Sequence, residues 1–226
     1  LYITCTADEE IGYGGATYVD EQSELFREMV EGDSRGIIGE PTLLDIVHAH
    51  KGVVGLQATS RGRAAHSSTG EGVNANLAMI PYLVEMKAIH DEANSNPKWQ
   101  DDRFQPPTLT WNIGINDHTR ATNITPPESV CTVYFRPMPG MDVEALIERS
   151  RLKAEECGID FKVTVRANSM STEPDSAFVR ECLDIADRKQ SRTVSYGTDG
   201  GKLNRLQRMI VCGPGDIAQA HTHDEW

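Results

Sequence analysis

Val53-Val54-Gly55-Leu56-Gln57-Ala58-Thr59-Ser60-Arg61 reads as a β-strand. Val54, Leu56, Ala58 and Ser60 fall on alternate positions, and a period of two sets them on one face of a pleated chain. The elements after this strand decide the fold. Gly72 to Ala93 carries helical periodicity, with Leu77, Ile80, Val84, Ala88 and Ile89 on one stripe. Thr108 to Asn116 and Ser129 to Arg136 are rich in strand-forming residues. Asp142 to Cys157 is a second amphipathic helix, opened by Asp142 in a capping position and stopped by Gly158. Ile159 to Arg166 closes the series as a strand. The order β-α-β-β-α-β is the split βαβ plan of a ferredoxin-like sandwich. Asn94 to Pro107, rich in Pro, Asn and Lys, is a loop inside it.

On either side the pattern is different. Leu1 to Thr6 reads as a buried strand, Ala16 to Val30 as a helix, and Gly36 to Gly39 as a short strand ending at Glu40-Pro41-Thr42. After Ser169 come a helix at Asp175 to Gln190, a strand and turn at Val194 to Gly201, and a strand at Met209 to Cys212. The expected architecture is therefore α/β. Residues 1–50 and 169–226 are two halves of one α/β domain, and residues 51–168 are an inserted α+β domain. In such layers the functional side chains gather at the carboxyl ends of strands. Glu10 and Glu40 both come just after expected strand ends.

Composition narrows the partners. With 38% hydrophobic and 25% charged residues the 226-residue chain has ordinary globular usage. A net charge of −12 disfavours nucleic acid and anionic membranes, which call for clustered Lys and Arg. No apolar stretch approaches the roughly 20 residues of a membrane span. Cys5, Cys131, Cys157, Cys182 and Cys212 are odd in number and widely spaced, a pattern suited to a reducing cytoplasm rather than to a disulfide framework. The start at Leu1 and the end at Trp226 lead us to read the chain as a piece of a longer protein.

Asp8-Glu9-Glu10, Glu40 and His221 are the candidate chemistry. Adjacent carboxylates resist ionising together, and a divalent cation or a proton-transfer role offsets that repulsion. Carboxylate oxygen with imidazole nitrogen is a donor mix that Zn²⁺ accepts, which makes Glu10, Glu40 and His221 candidate metal ligands. The alternatives are a helix-start carboxylate for the acidic residues and a surface-loop imidazole for His221. Glu9 and Glu10 are neighbours in an extended segment and point apart, so Glu9 suits a general base acting on water. His223 is a second imidazole close by, better read as an exposed loop residue.

Further motifs extend this reading. Thr6-Ala7-Asp8-Glu9-Glu10, Ile37-Ile38-Gly39-Glu40-Pro41-Thr42 and Ala49-His50-Lys51-Gly52 resemble the co-catalytic zinc aminoacylase and carboxypeptidase family. Gly72-Val73-Asn74-Ala75, Arg136-Pro137-Met138-Pro139-Gly140-Met141 and the run from Gly213 to His221 carry the same resemblance over nearly the whole chain. The resemblance implies a zinc-dependent amidohydrolase of two metals per complete subunit, with Co²⁺ as an alternative. It acts on a small N-acyl amino acid, N-acetylornithine first, with succinyl-diaminopimelate or dipeptides as alternatives. A non-catalytic dimerisation or binding module is the rival from another class.

Residue by residue, the resemblance makes Glu9 the base, Glu10 and His221 ligands of one zinc, and Glu40 a ligand of the other. His66 becomes the inserted-domain histidine that reaches across a homodimer to the oxyanion. Asn123 and Arg136 become substrate contacts, Arg136 through a carboxylate, and Gly197-Thr198 the turn that binds the substrate end. The family's His-x-Asp motif and bridging Asp are not found in this sequence, so this piece is expected to be inactive by itself. Asp199-Gly200-Gly201 also departs from the pattern expected after Thr198.

Overall fold

The computed structural model describes residues 1–220, Thr222 and His223. Two sheets make up the structure, and the chain passes from one to the other and back. The first contains β1 (Arg35–Ile38), β2 (Val47–His50), β7 (Met170–Ser171), β8 (Arg192–Val194) and β9 (Arg208–Val211). Its path is β1-β9-β2-β7, with β8 also paired to β2. β1 and β9 run parallel, Ile37 opposite Ile210, while β7 is antiparallel to β2. The second sheet is antiparallel, in the order β4-β5-β3-β6, and holds β3 (Val53–Arg61), β4 (Asn112–Asn116), β5 (Glu128–Phe135) and β6 (Asp160–Ala167). With α3 (Ala75–Ser95) between β3 and β4, and α4 (Val143–Glu156) between β5 and β6, it is the ferredoxin-like sandwich. The chain leaves the first sheet at His50, enters the second at Val53, and returns between Ala167 and Met170.

Local chemistry accounts for most element ends. Asp142 accepts a hydrogen bond from the Ala145 N–H and starts α4, as its position predicts. The Ser176 hydroxyl does the same for α5 (Ala177–Ala186) through Val179. The main core lies between the second sheet and its two helices. Leu56, Ala58, Val133 and Phe135 from the strands meet Met79, Tyr82, Met86 and Ile89 from α3. Trp111 and Phe135 stack there with ring centroids 4.6 Å apart. Strand β3 is buried along most of its length, and at its start Val53 packs away from the main core against Tyr13, Ala16 and Ala167.

Four expectations are corrected. Leu1 to Thr6 forms no strand: the segment is exposed and pairs with none of the described strands, and a strand needs a ladder partner for its backbone groups. The single helix expected over Ala16 to Val30 is two, α1 (Gly14–Gln22) and α2 (Glu24–Glu31). They break at Ser23, whose hydroxyl caps the second helix at Phe26. Of the stripe expected on α3 only Ile89 is in the core; Leu77, Ile80 and Val84 are 67%, 53% and 64% exposed, and Ile89 is buried with Met79, Tyr82, Met86 and Ala93. The loop from Asn94 to Pro107 is not merely a connection, since Trp99 and Phe104 are buried core residues.

Candidate active site

A cavity of about 640 Å³ opens where the two sheets meet. The turn Glu9 to Tyr13, Glu40 and Pro41 beyond β1, and Tyr196 and Gly197 beyond β8 form one side. Tyr134 and Arg136 from β5 and its end, with Thr164 to Arg166 from β6, form the other. Three carboxylates far apart in sequence, Glu9, Glu10 and Glu40, thus share one space. Their mutual effect is legible at Glu40, which is pushed up to about 7 by burial and then by the negative charges of Glu9, Asp199 and Glu10.

The turn that presents Glu9 and Glu10 is tightly held. The Tyr13 N–H bonds the Asp8 carbonyl at 2.9 Å and the Gly15 N–H bonds the Ala7 carbonyl at 2.9 Å. Gly15 is obligatory, because a Cβ there would stand 2.5 Å from the Ala7 backbone. The Thr6 hydroxyl donates to Asp199 Oδ2, which ties this turn to the segment after β8. Asp199 Oδ1 is buried with no hydrogen-bond partner among the described residues.

Behind the cavity wall lie two residues for which sequence reading supplied no role. His50 is fully buried, with Nδ1 2.8 Å from the Lys51 carbonyl and Nε2 3.0 Å from Thr198 Oγ1. A carbonyl can only accept, so the proton resides on Nδ1 and the Thr198 hydroxyl donates to Nε2. Burial pushes His50 down to about 4 and keeps it neutral. Thr198 Oγ1 also accepts the Gly200 N–H at 3.1 Å. Lys51 is buried as well, its Nζ donating to the carbonyls of Pro106 and Thr108 at 2.6 and 2.7 Å, with the Phe104 ring 5.8 Å away. Ser195 and Thr193 grip the carbonyls of Gln105 and Arg103. The loop before β4 is thereby fastened to β8 and the residues after it.

The expected site residues divide accordingly. Glu9, Glu10, Glu40, Arg136 and Gly197 line the one cavity. Thr198 does not: it is fully buried and its hydroxyl is engaged by His50, so its hydroxyl sits behind the wall rather than facing a ligand. His66 and Asn123 are exposed and lie outside the cavity. They are neighbours, since His66 forms a β-bridge with Ile124 and the Ser67 N–H bonds the Asn123 carbonyl at 2.9 Å. His221, expected as a metal ligand, lies outside the described residues. Tyr13 and Tyr196 line the cavity and were missed, because a tyrosine in a turn has no periodic or spacing signal.

Comparison with known proteins places this architecture. Residues 48–157 match the peptidase dimerisation domain of the M20 family. These residues are therefore a dimerisation domain of the kind found in M20 peptidases. Over its whole length it is 31% identical to the acetylornithine deacetylase of Myxococcus xanthus and 29% identical to that of Proteus mirabilis, covering 60% and 58% of those proteins. It therefore spans about 60% of the length of the curated relatives it matches. Two solved structures share the fold. Aminopeptidase PepT from Bacillus cereus superposes with a TM-score of 0.63 at 19% identity, over 92% of this chain and 54% of that one. The di-peptidase Dug1p from Saccharomyces cerevisiae gives 0.60 at 12% identity, over 96% and 60%.

Proposed function

We propose that the complete protein is a metal-dependent amidohydrolase that deacylates a small N-acyl amino acid, with N-acetylornithine the first candidate. The observation that carries this reading is the convergence of Glu9, Glu10 and Glu40 with Arg136 in one cavity. The names of the two acetylornithine deacetylases aligned over the whole chain support the substrate class.

The carboxylates are chemically suited to a divalent cation. Burial first, and then the negative charges of Glu9, Asp199 and Glu10, raise Glu40, and hard or borderline cations take oxygen ligands. Among the described residues no group of three His, Cys, Asp or Glu side chains could hold a metal ion. We assign Glu10, with His221, to hold one cation and Glu40 to hold a second, two per complete subunit, with Zn²⁺ as the first candidate over Co²⁺. When bound, such a cation polarises the amide carbonyl and lowers the pKa of water. Glu9 then accepts a proton from water as the water oxygen adds to the carbonyl carbon, and delivers it to the amide nitrogen as the C–N bond breaks. Arg136 orients the substrate by its carboxylate, for which the guanidinium fork is suited. The products are a carboxylate and a free amine.

The assembly we infer is a homodimer. Leu77, Ile80 and Val84 on α3 and Ile115 on β4 are more than half exposed, and β4 is an edge strand. A second copy would cover them, and His66 would reach the partner's cavity from that side. Among the described residues no helix is long and apolar enough to cross a membrane, and the five cysteines are unpaired. Free thiols agree with a cytoplasmic site of action.

The test is an assay of the complete enzyme against N-acetylornithine, succinyl-diaminopimelate and dipeptides, before and after chelation. Hydrolysis of N-acetylornithine that chelator removes and zinc restores is expected. Preference for either other substrate class would reassign it within the family, and no hydrolysis at all would favour the binding-module reading.

A further inference from the structure

We propose that Tyr13 is a substrate-binding residue, its phenol and the Arg136 guanidinium together gripping a substrate carboxylate over the bare face of Gly197. This rests on the reading of Arg136 as a carboxylate anchor and adds a second donor to it.

Three observations converge on this point. The Tyr13 hydroxyl, the Lys51 carbonyl and Arg136 Nη1 lie 3.2, 3.4 and 3.6 Å from where a Cβ at position 197 would stand. They form a polar corner over Gly197, where a Cβ would crowd the Tyr13 hydroxyl by a few tenths of an ångström. Arg136 Nη1 is buried with no hydrogen-bond partner among the described residues, while the guanidinium lies over the Tyr134 ring at 5.4 Å. A buried, unpaired N–H of a charged group is costly, and an anionic acceptor removes the cost. The third observation is the backbone. Tyr13 adopts φ 64°, a left-handed conformation that costs a bulky residue on the order of 1 kcal/mol or more. The turn accepts that strain and in return directs a tyrosine side chain into the cavity.

The chemistry of the niche selects its occupant. The Lys51 carbonyl already accepts the His50 N–H, so the outstanding demand comes from the two donors. Burial and the charge of Glu9 push the Tyr13 phenol up to about 12, so it stays protonated and can donate. One carboxylate has the lone pairs to accept from both the phenol and the guanidinium. A carboxamide in the same place presents one oxygen and an NH₂ group, which meets the donors with a mismatch.

The experiment is a calorimetric titration of the chain with an N-acetyl amino acid and with its C-terminal carboxamide, on wild type, Tyr13→Phe, Gly197→Ala and Arg136→Met. Wild type is expected to prefer the carboxylate. Tyr13→Phe should reduce that preference by about tenfold, the scale of one hydrogen bond to a charged group, and Gly197→Ala should reduce it by filling the niche. If Arg136→Met abolishes the preference while Tyr13→Phe leaves it intact, the Tyr13 proposal is overturned and the Arg136 anchor stands. If Tyr13→Phe weakens both ligands equally, Tyr13 is structural and the proposal again fails. A wild type that binds both ligands alike would remove the carboxylate anchor itself. Thermal unfolding of each variant establishes that the fold is retained.

Discussion

His50 and Thr198 stand 148 positions apart and meet in a buried hydrogen bond of 3.0 Å between Nε2 and Oγ1. The bond joins the end of β2 to the turn after Gly197, so the floor of the cavity depends on an imidazole that remains neutral. Its Nδ1–H is committed to the Lys51 carbonyl, and protonation of Nε2 would cost the ring the hydrogen bond donated by Thr198.

This buried imidazole makes stability depend on pH. His50 is held at about 4, below its ordinary 6.5. Between these values the unfolded chain binds a proton that the folded chain does not. Stability therefore falls as pH drops through that window, and this residue contributes no further loss below it. The contribution should be at most about 3 kcal/mol. Denaturant unfolding of wild type and His50→Gln between about pH 7 and pH 4.5 measures it. The variant should show the shallower slope, and identical slopes would remove His50 from the account.

Lys51 offers a second test of the same junction. Lys51→Met keeps the aliphatic volume but leaves the Pro106 and Thr108 carbonyls without their donor. A loss of about 1–3 kcal/mol is expected for buried acceptors left unpaired. Amide exchange should quicken in residues 103–109, where this loop meets Thr193 and Ser195. Unchanged exchange there would mean that the ammonium does not fasten the loop.

Glu9→Gln in the complete enzyme should lower turnover by roughly 10²–10⁴ while bound metal stays constant. Metal analysis alongside the kinetics is decisive, because loss of metal would make Glu9 a ligand and reverse its assignment with Glu10.

For the dimer, a charge on the exposed face of α3 is the sharpest probe. Each apolar side chain covered there should contribute about 1.5–3 kcal/mol to association. Ile80→Glu should therefore shift sedimentation from dimer to monomer without unfolding the sandwich, whose core uses the opposite face of the helix. A monomeric wild type would rule out the dimer.

His66 provides a complementation test. His66→Ala and Glu9→Gln subunits, each inactive in its own dimer, should regain part of their activity on mixing, since one site of the hybrid keeps both groups. No recovery after demonstrated subunit exchange would argue against a site shared between subunits.

Much of the second sheet was legible along the chain. Alternation in Val53 to Arg61, the Asp142 cap and the Gly158 stop are local signals, and the observed β3 and α4 agree with them. Leu1 to Thr6 shows where local signals run out. Its composition is that of a strand, yet strand formation depends on a partner elsewhere, and the described residues provide none. The α3 stripe failed for another reason. The helix carries two apolar stripes, and periodicity cannot say which one the sheet will cover. At the site, the acidic residues announced themselves by clustering, whereas Tyr13 and His50 had no pattern to betray them.

The sequence by itself determined the order of the second sheet's strands and its two helices, because caps, stops and periods of 2 and about 3.6 are written in neighbouring residues. It also marked Glu9, Glu10 and Glu40, since adjacent charges and strand-end carboxylates can be read in one dimension. Only the tertiary structure decided which face of α3 lies outward, that Lys51 fastens a loop more than fifty residues away, and that Tyr13 meets Arg136 over Gly197. Those relations are set by tertiary packing, α3 against the second sheet and the loops at the junction of the two sheets. Packing brings together groups whose separation along the chain carries no trace of their distance in space.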